Sequence, residues 1–289
     1  MTKSLRLGLR RVLATLLVCW TIGVTAEAAD KVAGSLTVKD ALTLPNQAVR
    51  IEARLTGTTH PGGQAVGGVS LQLHIDGKPV ATAKTNDGGQ AFFDYRPKMR
   101  GTNVISVTVN DPSPVEAGKA EATLFVWERR RPILLVEVAA LRQTDSPPSS
   151  PGSPASTAPG SGPSAQAVAG AAEELSRLTQ YYYNLVYVPG GDQSTEVASV
   201  EAIRRWLASN QFPPGLVLMP LSGGLSAALD AFKQDGWTAM KTGIGRTRSF
   251  AELLLQHRMD VVVVPELPTG ELPRKAKAAK DWKEVRKKL

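Results

Sequence analysis

The sequence predicts a multidomain chain. An all-β sandwich spans residues 31–128, and an α/β unit built as three layers on a parallel sheet spans residues 131–289. Three observations carry this expectation. Apolar residues recur with period two through the first stretch. Strand-like and helix-like segments alternate through the second. Within the second stretch, Ser146–Ser164 holds six Pro, seven Ser and three Gly among 19 residues.

The chain opens on an export address. Lys3, Arg6, Arg10 and Arg11 precede an uncharged run from Val12 to Val24, and the small residues of Thr25–Ala29 follow. That order of charge, apolar core and small exit residues predicts a signal peptide over residues 1–28 and a protein delivered to the periplasm or beyond. The apolar run is shorter than the ~20 residues that span a bilayer. Cys19 leaves lipidation open as an alternative. It is the single cysteine of the chain, so the mature protein is expected to have no internal disulfide and no thiolate chemistry.

The formal charge of +8 is concentrated at the ends. Four cations and one anion lie in residues 1–28, and eight cations and two anions lie in residues 274–289. The remainder is close to neutral, so no basic groove for nucleic acid is expected.

In the first folded stretch, Val49, Ile51, Ala53 and Leu55 alternate with polar residues, as do Val69, Leu71, Leu73 and Ile75. Such runs place one face inward and one toward water. Turn signals such as Asp76-Gly77 and Asn86-Asp87-Gly88-Gly89 separate them at the spacing of a sandwich. The segment Val69–Val80, the segment Thr85–Tyr95 and the strand-like Gly101–Val107 together resemble bacterial immunoglobulin-like domains. That resemblance implies a spacer or binding module without chemistry of its own.

The Pro/Ser-rich stretch is expected to be disordered. Arg131–Val138 precedes it and reads as a buried strand. If that strand belongs to the second unit, residues 144–166 are an insertion within it; otherwise they are an interdomain linker.

The second unit then reads in order. Ala167–Tyr181 is helical, and Tyr183–Val188 is a strand. Ser194 or Thr195 can cap a helix running to Asn210, with Glu196 in its first turn. Leu216–Met219 is a strand, Leu225–Asp235 a helix, Trp237–Ile244 strand-like, Thr247–His257 a helix and Met259–Val264 a buried strand. Alternation of this kind produces a parallel sheet covered on both faces.

Tyr183–Gly191, Arg205–Val217, and Gly243–Gly245 with Val261–Val264 and Gly270–Leu272 resemble the haloacid dehalogenase-like (Rossmannoid) fold. Within it, they are similar to the carboxy-terminal domain of lipins and retinal-degeneration-type phosphatidylinositol-transfer proteins. The resemblance implies a phosphoryl-transfer site with a nucleophilic Asp, an acid/base Asp two residues on, a hydroxyl and a lysine for phosphate, and carboxylates for Mg²⁺. This chain departs from the pattern at each inspected place. The nucleophile position falls on Glu137, the acid/base position on Ala139 and the hydroxyl position on Pro189. The arginine of the lipid-handling relatives falls on Gly191. Arg246–Phe250 stands where metal-binding carboxylates are expected. These departures imply a pseudoenzyme with no catalytic residue and no cofactor, Mg²⁺ being implied only if catalysis survives.

A vestigial phosphate or ligand pocket is expected around Glu137, Gly190, Gly191, Ser222, Gly223 and Lys241, flanked by Asp192 and Glu196. Gly223-Gly224 is equally a tight turn into a helix. No Ser or Cys partner for His257 is evident. At the C-terminus, Ala278/Ala279, Trp282, Val285 and Leu289 form a narrow apolar stripe on a basic helix. Two expectations stand for it. The helix packs on the sheet, or Lys280, Trp282, Lys283 and Lys287 face an anionic lipid surface. The function expected from all this is an exported, non-catalytic binding or scaffolding protein with an envelope component as partner, recognising a phosphate or lipid headgroup. The alternative is a divergent phosphatase acting on a phospholipid or another phosphate ester.

Overall fold

A computed structural model describes residues 32–58, 63–111, 113–143, 166–190, 199–268 and 270–289. The proposed signal peptide, the whole Pro/Ser-rich stretch, and Gly191, Asp192, Ser194, Thr195 and Glu196 lie outside the described residues.

Among the described residues, ten strands build the first half. They are β1 (Val32–Val38), β2 (Ala41–Thr43), β3 (Val49–Gly57), β4 (Gln64–Ala65), β5 (Ser70–Ile75), β6 (Lys78–Lys84), β7 (Gln90–Tyr95), β8 (Gly101–Val109), β9 (Val115–Ala117) and β10 (Ala120–Val126). One sheet runs β4-β3-β1-β9, with β7 also on β3, and the other runs β2-β10-β8-β5-β6. Alternation sets the faces as the sequence pattern requires. Ile51, Ala53 and Leu55 of β3, with Phe93 of β7, meet Leu71 and Leu73 of β5 and Ile105 of β8 in one core. This packing of two sheets is a β-sandwich. Asp76 and Gly77 both have positive φ, 49° and 77°, which is the backbone of a two-residue hairpin turn between β5 and β6. Pro79 is tolerated because β6 is an edge strand.

The second half is a six-stranded parallel sheet in the order β13-β12-β11-β14-β15-β16. Its strands are β11 (Ile133–Glu137), β12 (Asn184–Val188), β13 (Leu216–Val217), β14 (Met240–Gly245), β15 (Asp260–Val263) and β16 (Lys277–Ala278). Its helices are α1 (Ala171–Tyr181), α2 (Val200–Ser209), α3 (Gly224–Gln234), α4 (Arg248–Gln256) and α5 (Trp282–Lys288). Strand β11 pairs with both β12 and β14, and each of its residues is buried. Leu134 and Val136 face α1, α2 and α5, whereas Ile133 and Leu135 face α3 and α4. Burial on both faces explains why this strand is an unbroken apolar run closed by a single charge.

Four boundaries differ from expectation. Helix α1 starts at Ala171, because Gly170 adopts φ 77° at its N-cap and Ala167 bridges to Arg142. Helix α2 is capped by Ser199, whose hydroxyl accepts from the Ala202 N–H, and Glu201 sits in its first turn. The third strand expected in the second unit, Leu216–Met219, shrinks to Leu216–Val217 at the sheet edge. The basic tail is not one helix: Lys277–Ala278 joins β15 in parallel, and only Trp282–Lys288 is helical.

The sandwich and the parallel sheet share an apolar joint. Phe125 and Trp127, from the end of β10, belong to the same core as Leu229, Phe232 and Trp237. Trp127 meets Trp237 edge-on at 5.9 Å, and the Arg129 guanidinium lies 5.6 Å over Trp237. A polar contact reinforces it. Asp40, in the β1–β2 turn, stands 3.2 Å from Arg204 of α2 and accepts from the Thr123 N–H at 2.8 Å. Burial raises the Asp40 carboxyl above its ordinary value, with Arg204 and the Thr123 N–H pulling the other way. A raised folded value means Asp40 supports the fold fully below its unfolded value. That support is lost as pH rises through the folded value. The difference in urea midpoint between wild type and Asp40→Asn is therefore expected to move in favour of Asn as pH rises from ~3 to ~7. A difference that is flat with pH would contradict this.

Candidate functional site

The residues expected to carry chemistry sit at the C-terminal edge of the parallel sheet, where β-strands of open α/β folds present their ligands. Glu137 ends β11 and is fully buried, at 0% exposure. Its carboxylate is held from three sides. Oε2 accepts from the Arg246 N–H at 2.6 Å and the Thr247 N–H at 3.0 Å, and Oε1 accepts from the Thr247 hydroxyl at 2.6 Å. Thr247 is the N-cap of α4, so the carboxylate lies at the positive end of that helix. Charge-assisted bonds of this kind are the strong ones. Glu137 thus ties the central strand to α4 across 110 residues of sequence.

Glycines make room for it. A Cβ on Gly245 would lie 2.3 Å from Phe250 Cδ1 and 3.0 Å from Glu137 Oε2. A Cβ on Gly190 would lie 3.0 Å from the Ala139 Cβ and 3.8 Å from Glu137 Oε1. Gly245→Ala is accordingly expected to cost about 1–3 kcal/mol in urea unfolding, the usual cost of overpacking. An unchanged midpoint would show that Phe250 can move away.

The structure brings Glu137, Ala139, Pro189 and Gly190 to one edge, with Ala139 on a 3₁₀ turn over Val138–Leu141. It does not bring in Lys241. That residue is exposed near the start of β14, four residues before Gly245, which is level with the end of β11. At ~3.3 Å per residue it stands roughly 13 Å back along the strand. Ser222 and Gly223 lie exposed in the turn ahead of α3, following β13, which is two strands from β11. The Gly224 N–H donates to the Leu221 carbonyl at 2.8 Å and the Leu221 N–H returns to Gly224, so these residues close a tight turn.

The described residues of this edge do not supply a Mg²⁺ site: the Glu137 carboxylate already meets three donors. Among the described residues no cluster of three or more His, Cys, Asp or Glu could hold a metal ion. Arg246 donates from Nη1 to the Arg142 carbonyl at 2.9 Å, and burial holds the neighbouring Arg142 guanidinium below its ordinary value, 4.8 Å over Trp206.

The C-terminal candidates separate into two groups. Lys280, Lys283 and Lys287 are exposed. Trp282 is not a membrane-facing residue: it is 1% exposed, packs in the α1/α2 core, and its indole N–H donates to the Ala140 carbonyl at 3.3 Å. The apolar stripe is consumed by the sheet, because α5 has no other face on which to bury it.

His257 has partners that its sequence neighbourhood conceals. Ser226 Oγ is 2.9 Å from Nε2, Lys233 Nζ is 2.9 Å from Nδ1 and Asp230 Oδ1 is 3.6 Å from Nδ1. Ser226, Asp230 and Lys233 lie on one face of α3 at spacings of four and three, the signal that could have found them. These contacts clamp α3 to the end of α4.

No known family model matches the chain, and no curated protein matches it. Among solved structures, the fibronectin(III)-like modules of Clostridium thermocellum CbhA are 13% identical, with a TM-score of 0.25 over 33% of this chain and 47% of theirs. The chain thus spans about half the length of that relative. The CARDB domain of a Pyrococcus furiosus protein is 18% identical, with a TM-score of 0.26 over 33% of this chain and 96% of that domain. A sialyltransferase from Photobacterium damsela is 12% identical, with a TM-score of 0.20 over 79% of this chain and 42% of the enzyme.

Proposed function

We propose that this chain is an exported, non-catalytic binding or scaffolding protein, an immunoglobulin-like sandwich fused to a haloacid dehalogenase-like sheet that has turned its former reaction centre into a structural joint. The observation that carries this reading is the state of Glu137. A nucleophilic carboxylate needs a free lone pair and an approach path for phosphorus. The Glu137 carboxylate is buried and shared among three donors. It also occupies the α4 N-terminus, where a phosphate oxygen would otherwise be received, so a bound phosphate there would meet a fixed negative charge. The envelope partner is therefore sought on other surfaces, and an anionic lipid surface would meet Lys280, Lys283 and Lys287 without help from Trp282.

The test is hydrolysis of phosphate monoesters and phosphatidic acid by the mature protein with Mg²⁺. No turnover dependent on Glu137 is expected. Turnover that vanishes in Glu137→Ala, in protein shown to remain folded, would establish the divergent phosphatase instead.

A further inference from the structure

Three large apolar side chains stand out into solvent at one end of the molecule. Met99 is 80% exposed, Tyr181 67% and Tyr182 61%, the highest values for large apolar residues among those described. Tyr181 ends α1 and Tyr182 is its C-cap, just ahead of β12. They therefore lie at the N-terminal edge of the parallel sheet, away from Glu137. Met99 is joined to them through its neighbour. Arg100 lines one cleft with Gln180, and Gln180 lines a groove with both tyrosines.

Cations surround these side chains. The tyrosine groove, of about 390 Å³, is also lined by Arg177 of α1 and Arg286 of α5. The same two arginines line a second groove with Lys283 and Lys287, so the two grooves run on from one another across the α1–α5 face. Four cations meet two carboxylates there, Glu173 and Glu174. Arg177 stands 2.6 Å and 3.0 Å from them, and Arg286 stands 3.9 Å from Glu174 with half of its side chain open to water. Exposed pairs of this kind are weak. Lys283 and Lys287 are exposed, so the face is positive.

The composition of the face selects its partner. Protein interfaces are depleted of lysine. Here Lys98 flanks Met99, and Lys283 and Lys287 adjoin the tyrosine groove. A tyrosine carries an apolar ring and a polar tip, which suits the boundary between headgroups and acyl chains. Lysines near an anionic bilayer add an attraction that needs no fixed geometry. From the exposed tyrosine pair beside Arg177, Arg286, Lys283 and Lys287, we infer that this face docks on an anionic lipid bilayer. The tyrosine rings and Met99 enter the headgroup layer, and the cations meet lipid phosphates. Trp282 serves the face from beneath, as the core residue that holds α5. The inference rests on the reading of the chain as an exported binding protein and gives its lipid surface a place.

The experiment mixes the mature chain with vesicles of phosphatidylcholine, with and without phosphatidylglycerol, and reads binding by sedimentation. Binding is expected only with phosphatidylglycerol. Tyr181→Ala/Tyr182→Ala is expected to weaken it about fivefold or more. Lys283→Gln/Lys287→Gln is expected to weaken it about twentyfold, near fivefold for each cation. Lys84→Gln/Lys119→Gln removes the same charge from exposed sites at the far end of the sandwich and should leave binding unchanged. Urea midpoints of all three double variants should match the wild type, because the substituted side chains are exposed. Equal loss in Lys84→Gln/Lys119→Gln would reduce the binding to net charge and overturn the inference. Undiminished binding in the tyrosine variant, or no binding to phosphatidylglycerol vesicles, would also overturn it. So would displacement by millimolar inorganic phosphate, which marks a pocket for a single anion, or tyrosine-dependent self-association without lipid, which gives the face to a second copy. Each of these outcomes strikes the face alone, whereas Glu137-dependent turnover would strike the reading beneath it.

Discussion

Replacing Glu137 by alanine is expected to destabilise the folded chain by about 3–5 kcal/mol in urea unfolding, the range for removing one partner of a buried charged network. The loss has three parts. The N–H groups of Arg246 and Thr247 and the Thr247 hydroxyl are left facing no acceptor. The α4 N-terminus loses its internal anion. A gap opens beside Gly190 and Gly245, whose missing side chains exist to accommodate the carboxylate. Glu137→Gln keeps the volume and one carbonyl oxygen but aims an amide at donors, so about 1–3 kcal/mol is expected. A catalytic carboxylate behaves in the opposite way, since its removal relieves strain or costs little. Unchanged stability in both variants would mean that Glu137 is held for chemistry rather than for the fold.

The second large effect is at Trp282. It is among the largest fully buried side chains, and α5 has little else to hold it beyond Val285 and its Asp281 cap. Trp282→Ala is expected to cost about 3–5 kcal/mol. Alanine at Lys280, Lys283 or Lys287 should stay within about 0.5 kcal/mol, as exposed substitutions do. A tryptophan on a membrane would show the reverse pattern: little loss of stability and a large loss of vesicle binding. Urea midpoints together with sedimentation on anionic vesicles separate the two.

Much of the fold was legible because it is written in periodicity. The period-two runs of β3 and β5 and the unbroken apolar run of β11 each state how many faces are buried, and the structure follows them. The features that stayed hidden depend on distant pairing. Lys275–Ala279 alternates and repeats in a way that suits a helix or a strand equally, and only the free edge of β15 selects a strand for Lys277–Ala278. The cap of α2 is Ser199, whose side chain reaches the Ala202 N–H.

The site was half legible. That Glu137 and Ala139 stand where the proposed resemblance expects two aspartates is visible in the letters. What Glu137 does instead is not, since its donors come from 109 and 110 residues away. The extra methylene that makes glutamate a poor substitute for a nucleophilic aspartate lets the carboxylate reach the α4 N-terminus. The partners of His257 are hidden for the same reason: Ser226 lies 31 residues back, on another helix.

Amide hydrogen exchange at Arg246 and Thr247 tests most directly the claim that Glu137 is a structural joint. Both N–H groups should be strongly protected in the wild-type chain and should lose that protection selectively in Glu137→Gln, while amides within β15 keep theirs. Rapid exchange at Arg246 and Thr247 in the wild-type chain would contradict the account, because it would leave the Glu137 carboxylate free for another purpose.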